Sequence, residues 1–280
     1  MLKKCLAASV CAVLFPGLAL ADTLKEIDYS APPASGKLAV IGIAPGMTLD
    51  DARAAMTKRG LELSTGKVDL RASSPKGKTF DLSAVAKFGT AGVGLNTRLS
   101  GAGYEEVTGT LDLGALGGRI ISVGRTIQGS NADLPKPDEL LAQLTEEYGE
   151  PSLVEVDHGG KMTILYGWDE AGAKLTALDQ AAPLEMEEKT RSGTSTTEYV
   201  PCVSSGFGTM QVDYKKLNSD KPIAPGCSAR YQVVYESKAG QSKIRFSLTD
   251  FARARKAREE TDRQINEALT GAARASNMDL

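Results

Sequence analysis

The stretch Lys37–Gly60, KLAVIGIAPGMTLDDARAAMTKRG, decides the fold. Leu38, Val40, Ile41 and Ile43 make an apolar run short enough for a buried strand. Gly42, Pro45 and Gly46 break that run. Thr48 then offers a hydroxyl to an orphan backbone N–H, as a helix N-cap does. Asp51 falls at the third helical position, where a carboxylate favours the positive end of the helix dipole. Leu49, Ala52, Ala55 and Met56 share one helical face. Lys58 and Arg59 suit the negative end, and Gly60 suits a left-handed stop. The pattern predicts a strand, a turn and a helix over Thr48–Arg59.

Nucleotide-binding loops share this order of strand, glycine turn and helix. Here Gly42, Ala44 and Gly46 do not make G-x-G-x-x-G, Pro45 has no N–H to give a phosphate, and no Lys follows Gly46. A structural turn is the expectation.

The helix and its stop recur further on. Pro135-Lys136-Pro137-Asp138-Glu139 places proline and acids in a first turn. Leu140, Leu141, Leu144 and Tyr148 form an apolar stripe, Gly149 ends it, and Pro151 blocks its resumption. Strands follow at Leu153–Val156 and Met162–Trp168, joined by the turn Asp157-His158-Gly159-Gly160. The fold class expected is α+β: two helix-plus-antiparallel-sheet repeats and a C-terminal helix.

Other strands are read less evenly. Leu61 and Leu63 open one, whereas Phe80, Leu82, Val85 and Phe88 in Thr79–Phe88 fit neither strand nor helix period. Gly89–Gly103 reads as a hairpin connection. Glu106–Leu113 and Arg119–Gln128 read as a hairpin about Gly114–Gly118. A strand is expected near Leu175–Leu178, and others at Met210–Tyr214, Tyr231–Glu236 and Ile244–Leu248. Tyr231, Val233 and Tyr235 are expected to face Ile244, Phe246 and Leu248 across Lys238-Ala239-Gly240. Asp250 caps a final helix through Leu269, with Gly271 as its stop. Its first half carries Arg253, Arg255, Lys256 and Arg258, read as a solvated face beside Glu259, Glu260 and Asp262. That charge order opposes the dipole and predicts a frayed start.

The N-terminus reads as a secretory signal: Lys3 and Lys4, an apolar Leu6–Leu20, and the small-x-small site Ala19-Leu20-Ala21. The apolar segment is broken by Pro16 and Gly17 and is short for a membrane span. The organisation expected is a signal peptide over 1–21, an extended lead-in over 22–36, repeats over 37–135 and 136–249, and a charged helix over 250–270. Cleavage would leave Cys202 and Cys227 alone in an oxidising compartment, so a disulfide between them is expected.

Gly46-Met47-Thr48 leading a short helix, and Gly149-Glu150-Pro151 before strands, resemble the SmpA/OmlA (BamE-like) envelope family. The doubled layout resembles the wider fold class that includes β-lactamase inhibitor protein. The resemblance implies a two-repeat α+β fold in the cell envelope. Family members carry a lipid-anchor Cys after the signal; this chain has none there.

Composition narrows the function. The formal net charge is −2 and aromatics are 5%, which disfavours nucleic acid. One histidine and one cysteine pair leave little to hold a metal, so no cofactor is expected. Ser204-Ser205-Gly206 is no nucleophile elbow, and no catalytic set is assigned. The expectation is a periplasmic or secreted non-catalytic protein that binds an unknown envelope protein or peptide. Its candidate binding surface is Tyr166, Trp168, Tyr231 and Tyr235 on an exposed sheet face. The alternatives are a hydrolase with a site near His158 and a purely structural envelope protein.

Overall fold

The computed structural model describes residues 21–33, 35–36, 38–93, 103–176, 184–190, 193–199, 202 and 226–275, with the backbone alone for 184–190, 193–199 and 272–275. Its elements are α1 (Leu49–Thr57), β1 (Leu63–Ser73), β2 (Thr79–Thr90), β3 (Tyr104–Leu111), β4 (Ile120–Ser130), α2 (Pro137–Tyr148), β5 (Leu153–Val156), β6 (Met162–Trp168), β7 (Leu184–Thr190), β8 (Gly193–Tyr199), β9 (Ala229–Lys238), β10 (Gln241–Asp250) and α3 (Phe251–Ala275). Eight strands form one antiparallel sheet in the order β1-β2-β3-β4-β10-β9-β6-β5, and β7 pairs with β8 alone. The fold is therefore α+β with a C-terminal helix. A helix and four strands come from each half of the chain, and the halves meet where β4 pairs with β10.

The sheet lies between two layers. Ala52 and Met56 of α1 and Leu140 and Leu144 of α2 pack with Val107, Val123, Ile164, Tyr231 and Leu248 on one face. On the other face, Phe251, Ala254, Ala257 and Ile265 of α3 pack with Leu70, Phe80, Leu82 and Ile121. Residues 22–33 run as an extended strap beside α3. They are held by Asp22 N–H to Asp81 O (2.6 Å), Ile27 N–H to Ala115 O (2.9 Å) and a two-way amide pairing of Lys25 with Gln264.

The caps form as expected. The Thr48 hydroxyl accepts from Asp51 N–H (3.1 Å), and the Asp51 carboxylate accepts from the Thr48 hydroxyl (2.7 Å) and from Thr48 N–H (2.9 Å), which together hold the carboxyl below its usual range. Gly60 takes φ 71° and lets Leu61 N–H close back on Met56 O at 3.1 Å. Gly149 ends α2 at φ 75°.

Several expectations change. The strand expected over 38–43 is a tight turn: Val40 and Ile43 exchange two backbone hydrogen bonds of 2.8 and 2.9 Å around Ile41 and Gly42. Ile41 sits at φ 51°, a conformation costly for a β-branched side chain. The turn buries Leu38, Val40 and Ile43 just as a strand would.

The ambiguous 79–88 is the strand β2 with a bulge. Opposite Gly66 and Lys67 the register slips past Ala86, so Phe80 and Leu82 face α3 while Phe88 faces the layer of α1.

The helix α3 does not stop at Gly271 but runs to Ala275. Its basic start is not a solvated, fraying face. The side chain of Arg253 is 4% exposed, and its Nε lies 3.5 Å from Asp250, whose carboxylate caps Arg253 N–H at 2.8 Å. Arg255 donates to Cys227 O at 2.9 Å. The sheet beneath offers a carboxylate and carbonyls where solvent was expected. Met210–Tyr214, residues 177–178 and most of Gly89–Gly103 lie outside the described residues, while Leu175 donates to Gly167 O at 2.8 Å.

Candidate functional site

The expected aromatic surface does not exist as a surface. Tyr166, Trp168, Tyr231 and Tyr235 are 0%, 8%, 3% and 5% exposed. The two sets do face each other across the β9–β10 hairpin, in a register that sets Tyr231 opposite Leu248, Val233 opposite Phe246 and Tyr235 opposite Ile244. That register turns these side chains toward α1 and α2 rather than water. Tyr148 at the end of α2 meets Tyr166 and Tyr231 edge-on, with ring centroids 6.3 and 5.7 Å away. Burial pushes the Tyr148 and Tyr166 hydroxyls up to about 12, and Tyr231 further. Tyr235 shares its hydroxyl with Ser242 at 2.7 Å. The cluster is core.

Cys202 and Cys227 are brought to disulfide distance, with Cα atoms 5.3 Å apart. Both are buried, and Cys227 directly precedes the entry to β9.

His158 lies exposed in the β5–β6 turn. Its neighbour Asp157 spends its carboxylate on the turn itself, accepting from Gly159 N–H (2.9 Å) and Lys161 N–H (3.0 Å). Those bonds, that of Lys161 first, hold the Asp157 carboxyl below its usual range. Among the described residues nothing hydrogen-bonds to His158. No three His, Cys, Asp or Glu side chains among them gather around a metal position.

A cleft of about 510 Å³ opens between the strap, the Pro45-Gly46-Met47 turn, Arg119 and Arg253. Of its two arginines, Arg253 is already committed. Arg253 donates to Ala31 O at 2.8 Å, stacks 4.9 Å over Tyr29, and presses on Gly46, where an added Cβ would stand 3.2 Å from its Nη2. Arg253 is a rivet between strap, turn and α3.

The surface feature that sequence reading missed lies at the sheet margin. Val154 and Val156 are 40% and 63% exposed and are the exposed large hydrophobics among the described residues. Both sit on β5, which among the described residues pairs with β6 on one side only. They stand opposite Ile164 and Met162, so they extend the core face of the sheet by one uncovered row. Glu155 between them is opposite Thr163 on the reverse face. The valine alternation was visible as a strand; its place at the end of the sheet is a property of strand order.

No family model, curated protein or solved structure matches the chain.

Proposed function

We propose that this is an exported, non-catalytic binding module that captures an extended segment of an envelope protein or peptide along β5. The observation that carries the reading is the pair Val154 and Val156 on one face of an edge strand. An open edge is a template for an added strand: main-chain hydrogen bonds supply affinity, and side-chain rows supply selection. Export is supported by the signal-like N-terminus and by the buried cysteine pair at bonding distance. No helix among the described residues is long and apolar enough to cross a membrane. In this reading the two helix-plus-four-strand halves are repeats. They resemble the layout of β-lactamase inhibitor protein and the SmpA/OmlA (BamE-like) turns.

The test places a photo-crosslinking residue at Val156 and, as control, at Lys67 on the opposite edge strand. A discrete adduct from Val156 alone, mapped by mass spectrometry to an extended segment of an envelope protein, is expected. Equal adducts at both positions would sink the reading. Cell fractionation and N-terminal sequencing check export, with Asp22 expected as the first residue.

A further inference from the structure

Resting on that edge-strand reading, we infer that β5 selects a segment in which apolar and basic residues alternate. An incoming strand directly opposite β5 sets its side chains on the same two faces as β5. Its apolar residues would stand beside Val154 and Val156 and continue the row begun by Ile164 and Met162. The residue between them would face Glu155 on the reverse side. Glu155 is exposed and has no ion-pair partner among the described residues.

Among the described residues the charge around β5 is mostly acidic. Glu146, Glu147 and Glu150 are exposed at the end of α2 and in its link to β5. The last turn of α2 has no basic residue of its own, and the cation at that end is Lys174, reaching in from outside the helix. The two local cations are engaged: Lys161 lies 3.4 Å from Asp157, and Lys174 stands 5.0 Å over the Tyr166 ring with Tyr148 O as acceptor. A basic residue in the strand therefore meets attraction, and an acidic one meets like charge directly opposite. The same geometry argues against a second copy of this chain. Antiparallel β5 self-pairing that sets Val154 against Val156 of the copy also sets Glu155 against Glu155.

The test uses the full chain and two fluorescent peptides, one alternating Val and Lys, the other alternating Val and Glu, each flanked by Ser. Fluorescence anisotropy is read at low and physiological salt. The Val/Lys peptide is expected to bind about tenfold tighter than the Val/Glu peptide, with the gap narrowing at high salt. Glu155→Lys should reverse the preference. Val154→Lys with Val156→Lys should abolish binding while leaving the melting temperature near that of the unaltered protein, because both side chains already stand in water.

If the two peptides bind equally, yet the double lysine variant removes both, the edge reading stands and the basic selection is overturned. Binding of neither peptide, or binding indifferent to the valines, overturns both. A dimer in sedimentation that Val156→Lys dissociates would name the second copy as occupant and overturn the inference.

Discussion

The two ends of the eight-stranded sheet are built to opposite rules. At one end β1 is 11 residues long, yet it is guarded. Lys67, Asp69 and Arg71 alternate along it, Arg71 pairs with Asp81 at 3.2 Å, and a bulge at Ala86 of its neighbour β2 breaks the register between Gly66 and Lys67. Charges and bulges are the means by which sheets refuse a further strand. At the other end β5 has only 4 residues, and its two outward positions on the same helix-bearing face are valines. A long edge needs protection against chance pairing; a short one can be left open for a chosen strand. The halves behind the edges differ too. Behind β1 lie the strap and α3, and behind β5 lie α2 and the tyrosine cluster.

The largest effect is expected beneath the open edge. Leu144→Ala empties a core position between α2 and the sheet, and should cost about 2–5 kcal/mol in chemical denaturation. It should also weaken peptide capture at β5, whereas Met56→Ala beneath the β1 side should lower stability without that loss at temperatures where the protein stays folded. Breaking the cysteine pair comes next. Its sequence separation is 25, and a loop of that size gives roughly 3–4 kcal/mol on the chain-entropy model. Hydrogen exchange after reduction should rise in β9 and β6 before β2; uniform exchange would show that the bond pins no particular half.

A smaller stability effect, but a visible change of behaviour, is expected from unguarding β1. Replacing Lys67, Asp69 and Arg71 with Val should change stability by about 0.5 kcal/mol each or less, while the protein begins to self-associate in sedimentation. A persistent monomer would mean that the bulge alone protects that edge.

The smallest effect concerns the strap. Arg263, and then Gln264, hydrogen-bond the Glu260 carboxylate and hold it at about 2, below its ordinary 4.5. Because the folded value is the lower one, its contribution is present above pH 4.5 and is lost as pH falls toward 2. Thermal melts of Glu260→Gln should therefore be flatter over that range than those of the unaltered protein. Gln264 also grips Lys25 in both directions, so exchange in the strap should rise over the same range.

The parts of the fold written in local chemistry were legible in the sequence. Thr48 with Asp51, Gly60, Pro137 and Gly149 mark both early helices to within two residues, and β5 and β6 fall on their expected bounds. What escaped depends on distant partners. The period of β2 breaks because β2 bulges at Ala86, opposite Gly66 and Lys67 of β1. The face of α3 is made partly by Ala254 and Ala257, too small to stand out as an apolar stripe. Trp168 and the tyrosines looked like a surface because strand alternation shows two faces and does not say what covers either. In β6 every residue is buried. The candidate site escaped for the same reason: four residues reading Leu-Val-Glu-Val show a strand, and only the order of the whole sheet makes it the last one.

The strap sets an order of events for the living chain. Lys25 and Gln264 are 239 positions apart, and Ala31 and Arg253 are 222 apart. A ribosome adds roughly 5–20 residues per second. The strap can meet Asp81 and Ala115 early but cannot complete its seat until α3 exists, which leaves its α3 contacts waiting for on the order of ten seconds or more. Leu24, Ile27 and Tyr29 stay uncovered through that interval. The strap is thus finished by what is made much later, so an arrested or truncated chain lacking α3 would carry a strap held by Asp81 and Ala115 but not by Gln264 and Arg253.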